Sequence, residues 1–218
     1  VKGRFSLGLR QDWVETCDEN RIAEVGRPLG TEISDKRTKL TGRAGALYLF
    51  DNGLAPYVSY SESFNPNSYS DSAGNPLAPT DGTQWEVGLK YQPPGTDNLF
   101  TASLFRTDQD NLATTLPHES FYRAVGAVRS QGLELEAHMQ LTDNLKLLGS
   151  YTFTDIEYSK SMVSTLSSPG NLIENKSNSP TQAPRHMASV WADYKFDSGA
   201  LDGLRPGGGG RYVGYSWA

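Results

Sequence analysis

Between Leu133 and Leu141 every second side chain is apolar: Leu133, Leu135, Ala137, Met139 and Leu141, with Glu134, Glu136, His138 and Gln140 between them. A period of two marks an extended strand whose successive side chains point to opposite faces. The alternation recurs along the chain. In TQWEVGLKYQ the apolar set is Trp85, Val87, Leu89 and Tyr91, against Gln84, Glu86, Lys90 and Gln92. In GRFSLGLRQDW it is Phe5, Leu7, Leu9 and Trp13, against Arg4, Ser6, Arg10 and Asp12. Residues 186–196 set Ala188, Val190, Ala192, Tyr194 and Phe196 against Ser189, Asp193 and Lys195, and Trp191 breaks the rule by falling on the polar side. The pattern predicts strands over 3–14, 39–50, 54–64, 83–92, 99–110, 121–141, 145–158, 185–196 and 206–217. No stretch shows a helical period.

The connections alternate in length. Residues 51–53 (DNG), 93–98 (PPGTDN), 142–144 (TDN) and 197–205 (DSGALDGLR) are short turns rich in Gly, Pro and Asn. Between them lie longer polar loops at 15–38, 65–82, 111–120 and 159–184. Short turns at one end and long loops at the other describe an antiparallel up-and-down meander with two unlike ends, as outer-membrane barrels have.

Composition narrows the class. Mean hydropathy is −0.52 and no apolar run approaches the length of a membrane helix. Strands that alternate average to a hydrophilic value, so a transmembrane barrel stays open. The net charge of −5 argues against a nucleic-acid partner, which needs a basic stripe. A single cysteine, Cys17, makes no internal disulfide. The chain starts at Val1 and stops inside a predicted strand, which reads as a fragment.

The aromatic residues sort by end. Phe5, Tyr48, Phe50, Tyr91, Tyr194 and Phe196 lie near the short-turn end, and Trp13, Trp85 and Phe153 near the loop end. Eight steps of roughly 3.3 Å from Phe5 to Trp13, tilted by about 40°, leave roughly 20 Å between the rows, which suits the girdles of a thin hydrocarbon slab. A soluble sandwich, propeller or lectin-like sheet that binds carbohydrate or protein would show the same alternation with the apolar face as core. Its strands would usually be shorter, five or six residues.

Six ordered blocks carry a family resemblance: APYVSYSESFNP (55–66), LAPTDGTQWEVGLKY (77–91), RSQGLELEAHMQL (129–141), LLGSYTFTDIEY (147–158), QAPRHMASVWADYKF (182–196) and GGRYVG (209–214). The series resembles the C-terminal half of the barrel of TonB-dependent siderophore receptors, most closely the ferrichrome-type, ferric hydroxamate branch. That resemblance implies an all-β, antiparallel transmembrane barrel of roughly 22 strands, of which residues 1–218 would supply about nine. It implies that the plug domain and the terminal strands lie outside this stretch. It also implies a multi-pass protein of a Gram-negative outer membrane, in contact with its lipid and lipopolysaccharide. Such a receptor imports ferric siderophores with energy from the TonB complex, which engages the missing N-terminal region. A receptor for another chelate, catecholate or mixed, is the alternative within the family.

No catalytic constellation stands out, and an enzyme is not expected. His118, His138 and His186 lie on separate segments without metal-ligand spacing, and read as ordinary loop or lumen residues. GGGG at 207–210 lacks the Lys-Ser/Thr of a phosphate loop and suits close packing in a strand. The expectation is therefore no resident cofactor and no protein metal site, the iron arriving inside its chelator. The candidate ligand contacts are Tyr69, Phe121 and Tyr122, aromatic residues on the loop side. Arg4, Arg10, Asp12, Glu86, Lys90, Glu134, Glu136 and Lys146 are expected to face the lumen, in mixed-sign networks with the plug.

Overall fold

The computed structural model describes residues 2–19, 32–114, 121–160, 163–166, 172–174 and 177–216. The expected meander is present. Strands β1 (Gly3–Glu19), β2 (Glu32–Tyr48), β3 (Leu54–Asn65), β4 (Thr80–Tyr91), β5 (Leu99–Thr114), β6 (Arg123–Gln140) and β7 (Leu145–Lys160) run antiparallel in chain order. A small separate hairpin, β8 (Val163–Leu166) and β9 (Leu172–Glu174), follows, and β10 (His186–Tyr194) and β11 (Gly207–Val213) complete a nine-stranded sheet beside β7. The turn between β10 and β11 holds one short 3₁₀ segment, Gly199–Leu201.

Strands β1 to β5 and β7 overrun their predicted ends on the loop side, whereas β6, β10 and β11 stop short of theirs. The β1–β2 ladder continues from Gly3 opposite Tyr48 to Glu19 opposite Glu32, so much of the expected 15–38 loop is the top of a hairpin. Its residues pair by charge, Lys36 with Glu15 at 3.0 Å and Arg37 with Asp35 at 2.6 Å. A hairpin standing in water needs no apolar face, so the period-two signal fades where the pairing does not. The expected 159–184 loop likewise contains β8 and β9.

Register fixes the faces, because residues directly opposite one another share a side of the sheet. Ala44 sits opposite Leu7 and Tyr60, and Tyr60 opposite Trp85. Leu104 lies between Val87 and Leu133, and Leu133 meets Phe153. The apolar residues thus form one continuous face from β1 to β11. Nothing covers it: Phe5, Leu7, Leu9 and Trp13 are 87%, 81%, 72% and 76% exposed, and no large side chain among the described residues is fully buried. A soluble sandwich would have packed this face against a second layer.

Trp191 explains its own irregularity. Its indole covers the glycines of β11, where an added Cβ would meet the ring at 2.9 Å from Gly207 and 2.8 Å from Gly209. The same arrangement recurs on that face, with the Tyr57 ring over Gly88 and the Phe105 ring over Gly132. Three inward aromatics therefore lie flat on the neighbouring strand, and the glycines make the room.

These close approaches give a measurable contrast. A Cβ at Gly132 would stand 2.0 Å from the Phe153 carbonyl oxygen and 3.0 Å from the Phe105 ring, whereas one at Gly149 meets nothing within 4 Å. Gly132→Ala is expected to cost roughly 1–3 kcal/mol, read as a lower urea midpoint of the full-length receptor refolded in detergent. Gly149→Ala should leave that midpoint unchanged or slightly raised; equal losses at both positions would contradict the packing described.

Candidate functional site: a loop-side aromatic ledge above a polar wall

The β3–β4 loop, residues 66–79, is built on its own turns. Ser70 bridges to Pro76, and the Leu77 amide donates to the Tyr69 carbonyl at 2.9 Å. Asp71 organises the tip: its Oδ1 accepts from the Ala73 and Asn75 amides at 2.9 and 2.8 Å, and its Oδ2 from the Asn75 side chain at 3.2 Å. Gly74 takes the left-handed conformation, φ +79°, that closes the turn. The amide of Asn75 and its neighbours hold the Asp71 carboxyl below the usual carboxylate range.

This loop is fastened to the next one. The Asn67 amide group donates to the carbonyls of Ala78 and Asn111, and Thr80 Oγ1 donates to the same Asn111 carbonyl at 3.2 Å. Asn111 sits at φ +60° beside the irregularity in β5–β6 pairing that turns its carbonyl to this use. Tyr122 donates its amide to the Ser70 carbonyl at 3.3 Å, and its ring stacks on Tyr69 with centroids 3.9 Å apart.

Two of the three candidate ligand residues, Tyr69 and Tyr122, are therefore brought together, each spending one ring face on the other. Phe121 is adjacent, with the Arg123 guanidinium 5.2 Å over its ring. The combination is a small aromatic ledge at the loop end with a cation beside it. Asn67 and Asn111 are the residues that sequence reasoning missed. Their only signal was an Asn in each of NPN and QDN, a residue type that tolerates positive φ and bonds to nearby backbone.

Below the ledge the opposite face of the sheet is polar. Tyr57 Oη donates to Glu86 Oε1 at 2.6 Å, Gln84 Nε2 donates to Glu86 Oε2 at 3.3 Å, and the Lys90 ammonium stands 5.4 Å from the Tyr57 ring. Glu134 and Glu136 follow on β6, opposite Ser103 and Thr101. Arg10 pairs with Asp12 at 2.8 Å on β1. The expected lumen charges thus share the face that carries Trp191.

His138 lies on this side too, but His186 does not: it joins the outward row, bonded to Tyr151 Oη at 2.9 Å and 5.2 Å from the Phe153 ring. His118 lies outside the described residues. Among the described residues no group of His, Cys, Asp and Glu is arranged to hold a metal.

The model of the TonB-dependent receptor-like β-barrel matches residues 3–218. The chain belongs to this family. As a TonB-dependent receptor barrel segment it is 43% identical over 96% of its length to the ferrioxamine B receptor of Salmonella typhimurium, and 41% identical over 97% to the ferrichrome outer membrane transporter/phage receptor of Escherichia coli K12. It spans 28% and 26% of those relatives' own lengths. Among solved structures it superposes on the siderophore receptor PiuA from Acinetobacter baumannii with a TM-score of 0.75 at 23% identity, over 97% of this chain and 31% of that one. The alcaligin outer membrane receptor FauA from Bordetella pertussis gives 0.63 at 25% identity, over 96% and 34%. The open antiparallel sheet of this chain thus matches a stretch of the barrel wall in those larger receptors.

The ledge has a defined response to acid. A carboxyl whose folded value is depressed contributes stability above its unfolded value, near 3.9, and loses it as pH falls through the lower folded value. Amide exchange at Ala73 and Asn75 in the full-length receptor, referenced to intrinsic rates at each pH, should keep its protection as pH falls into the ordinary carboxylate range and lose it only at more acid pH. Asp71→Asn should lack that acid transition, and a transition unchanged in the variant would remove Asp71 as its origin.

Proposed function

We propose that this segment is part of the wall of a receptor that imports ferric siderophores of the hydroxamate class across a Gram-negative outer membrane. The observation that carries the reading is the continuous uncovered apolar face of a nine-stranded meander, joined to 43% and 41% identity with receptors named for ferrioxamine B and ferrichrome. A lipid-facing exterior and a polar interior are what such a wall requires, since every backbone group must be paired within the sheet.

Energy would come from the TonB complex acting through an N-terminal region of the whole receptor. The chain's role is binding and passage, with no bond made or broken. Iron would enter already wrapped in its chelator, so the wall needs aromatic surface and hydrogen-bond groups in place of metal ligands or a resident cofactor. Tyr69, Phe121 and Tyr122 offer such a surface at the loop end. A receptor for another chelate is the second reading, favoured by 29% identity over 98% of the chain to the metal-pseudopaline receptor CntO of Pseudomonas aeruginosa.

The test is growth of a strain lacking its own hydroxamate receptors, carrying the full-length gene, with ferrioxamine B or ferrichrome as sole iron source. Growth on either supports the hydroxamate reading, and growth only on a non-hydroxamate chelate overturns it. In the same receptor, Phe121→Ala with Tyr122→Ala should weaken siderophore binding by about tenfold, at roughly 0.5–1.5 kcal/mol per aromatic contact. Unchanged affinity would leave the ledge with loop packing alone.

The lumen carboxylates have a different expected signature. Glu134→Gln with Glu136→Gln should loosen the plug, seen as faster protease cleavage of the plug and greater antibiotic leakage, while the order of preference among siderophores stays as in the parent receptor. Plug protection equal to that of the parent would count against the wall-to-plug role.

A further inference from the structure

The sheet forks between β2 and β3, and the fork leaves a recess in the wall. Their ladder ends with Arg43 opposite Ser61, whereas β3 goes on pairing with β4 as far as Asn65 opposite Thr80, and β2 with β1 as far as Glu32 opposite Glu19. A cavity of about 430 Å³ opens at the parting, lined on the inward side by Gly8, Arg10, Thr41, Arg43 and Ser61. On the outward side stand Leu9, Gly42 and Glu62. Both oxygens of Glu62 are taken, Oε2 by the Gly42 amide and Oε1 by the Tyr60 hydroxyl, each at 2.8 Å. The polar approach to the recess is from the lumen.

Arg43 is the free charge there. Its side chain lies across β1, where an added Cβ at Gly8 would meet Nε at 2.7 Å and Cγ at 3.0 Å, so the glycine makes the room. Register sets Arg10 opposite Thr41, one diagonal step from Arg43 on the same face and about 7 Å away at Cβ. Arg10 holds Asp12 at 2.8 Å; higher on this face Lys39 holds Asp81 at 2.9 Å and Arg37 holds Asp35 at 2.6 Å. Of these four cations, Arg43 alone has no hydrogen-bond or ion-pair partner among the described residues.

Height gives that order a direction. Arg43 is five steps along β2 from Tyr48, in the aromatic row at the short-turn end, and Lys39 is nine. At roughly 3.3 Å per step and a tilt of about 40° these are about 13 and 23 Å of height. Cations therefore line the inward face from mid-wall to the loop end, paired above and open below. An anion descending from the loops meets satisfied pairs until it reaches Arg43. There the guanidinium fork, the donors Arg10 has left beside Asp12, and the Ser61 hydroxyl line one cavity.

A guanidinium fork takes a carboxylate through two parallel charge-assisted bonds. The recess lies toward the small end of small-molecule sites, which suits an arm of a ligand better than the convex surface of a folded domain. Three hydroxamates neutralise one Fe(III), so the core of such a chelate brings this site no charge. A carboxylate on a free arm does.

We propose that the Arg43–Arg10–Ser61 recess is a subsite for a free carboxylate carried on an arm of the ferric hydroxamate, and that the receptor favours chelates with such an arm. The inference rests on the hydroxamate reading above and deepens it by naming the part of the substrate this wall recognises.

The test uses the full-length receptor in detergent and one ferric trihydroxamate prepared in two forms, with a terminal carboxylate or with that group capped as its methyl amide. The parent should bind the carboxylate form at least tenfold more tightly. In Arg43→Gln, shown to be folded by its heat-modifiable migration, the ratio should fall below twofold. Equal binding of the two forms by the parent, which needs no variant, overturns the subsite, as does a preference kept by the folded variant. A variant whose plug is cleaved faster while the ratio stays unchanged assigns Arg43 to the plug and overturns it equally. These results leave the hydroxamate reading standing; a parent that binds neither form and imports only a non-hydroxamate chelate refutes that reading itself.

Discussion

The whole arrangement depends on the backbone ladder. With its apolar face uncovered and almost nothing buried, the sheet draws little cohesion from a core of its own. What holds neighbouring strands is the mutual pairing of amides and carbonyls, continuous over all twelve residues of β3 with β4 and over most of β5, β6 and β7. In hydrocarbon those groups have no water to fall back on, so unpaired edges are costly and a wall of this kind is stable only as part of a closed ring. One place where pairing thins is instructive. β2 and β3 are laddered only over Arg43–Leu47 with Tyr57–Ser61, and above that the Gly42 amide donates instead to Glu62 at 2.8 Å, with Lys39 reaching Asp81 at 2.9 Å. Side chains take over where the backbone lets go.

The two faces answer to different solvents, and the exchange is visible residue by residue. Outward positions between the aromatic rows are mainly Leu, Val, Ala and Gly, with Gln11 a polar exception on β1; inward positions include Ser, Thr, Glu and Arg, and three inward aromatics, Tyr57, Phe105 and Trp191, lie over glycines. The polar side thus keeps its groups hydrated or bonded, as Glu86 does with Tyr57 and Gln84. On the loop side both faces turn polar, and there Tyr69, Tyr122 and Asn111 tie two loops into one unit above the wall.

Much of this was legible in the alternation itself. Strand order, the short-turn and loop ends, and the faces of Leu133 to Leu141 follow from a period of two, because the pleat sends neighbours to opposite sides whatever the surroundings. The upper halves of β1 and β2 were not legible, since a hairpin in water pairs Lys36 with Glu15 and leaves no apolar trace. Of the candidate site, the residue types were readable and their company was not. Stacking of Tyr69 on Tyr122 depends on Asn67 and Asn111 bridging segments far apart in sequence, and no local period encodes that. The misplacement of His186 has a simpler cause: one residue marks a face only in the company of its row.

The Trp191 bed carries a consequence for how this wall can change over time. Trp191 occupies the space that side chains at positions 207 and 209 would otherwise fill, so these three positions share a single volume. None can drift alone without leaving a hole or a collision. Their inheritance is joint: a lineage that enlarges the glycines must shrink the tryptophan. Gly207 and Gly209 are therefore the vacant half of a shape whose occupied half, Trp191, is written sixteen and eighteen residues earlier.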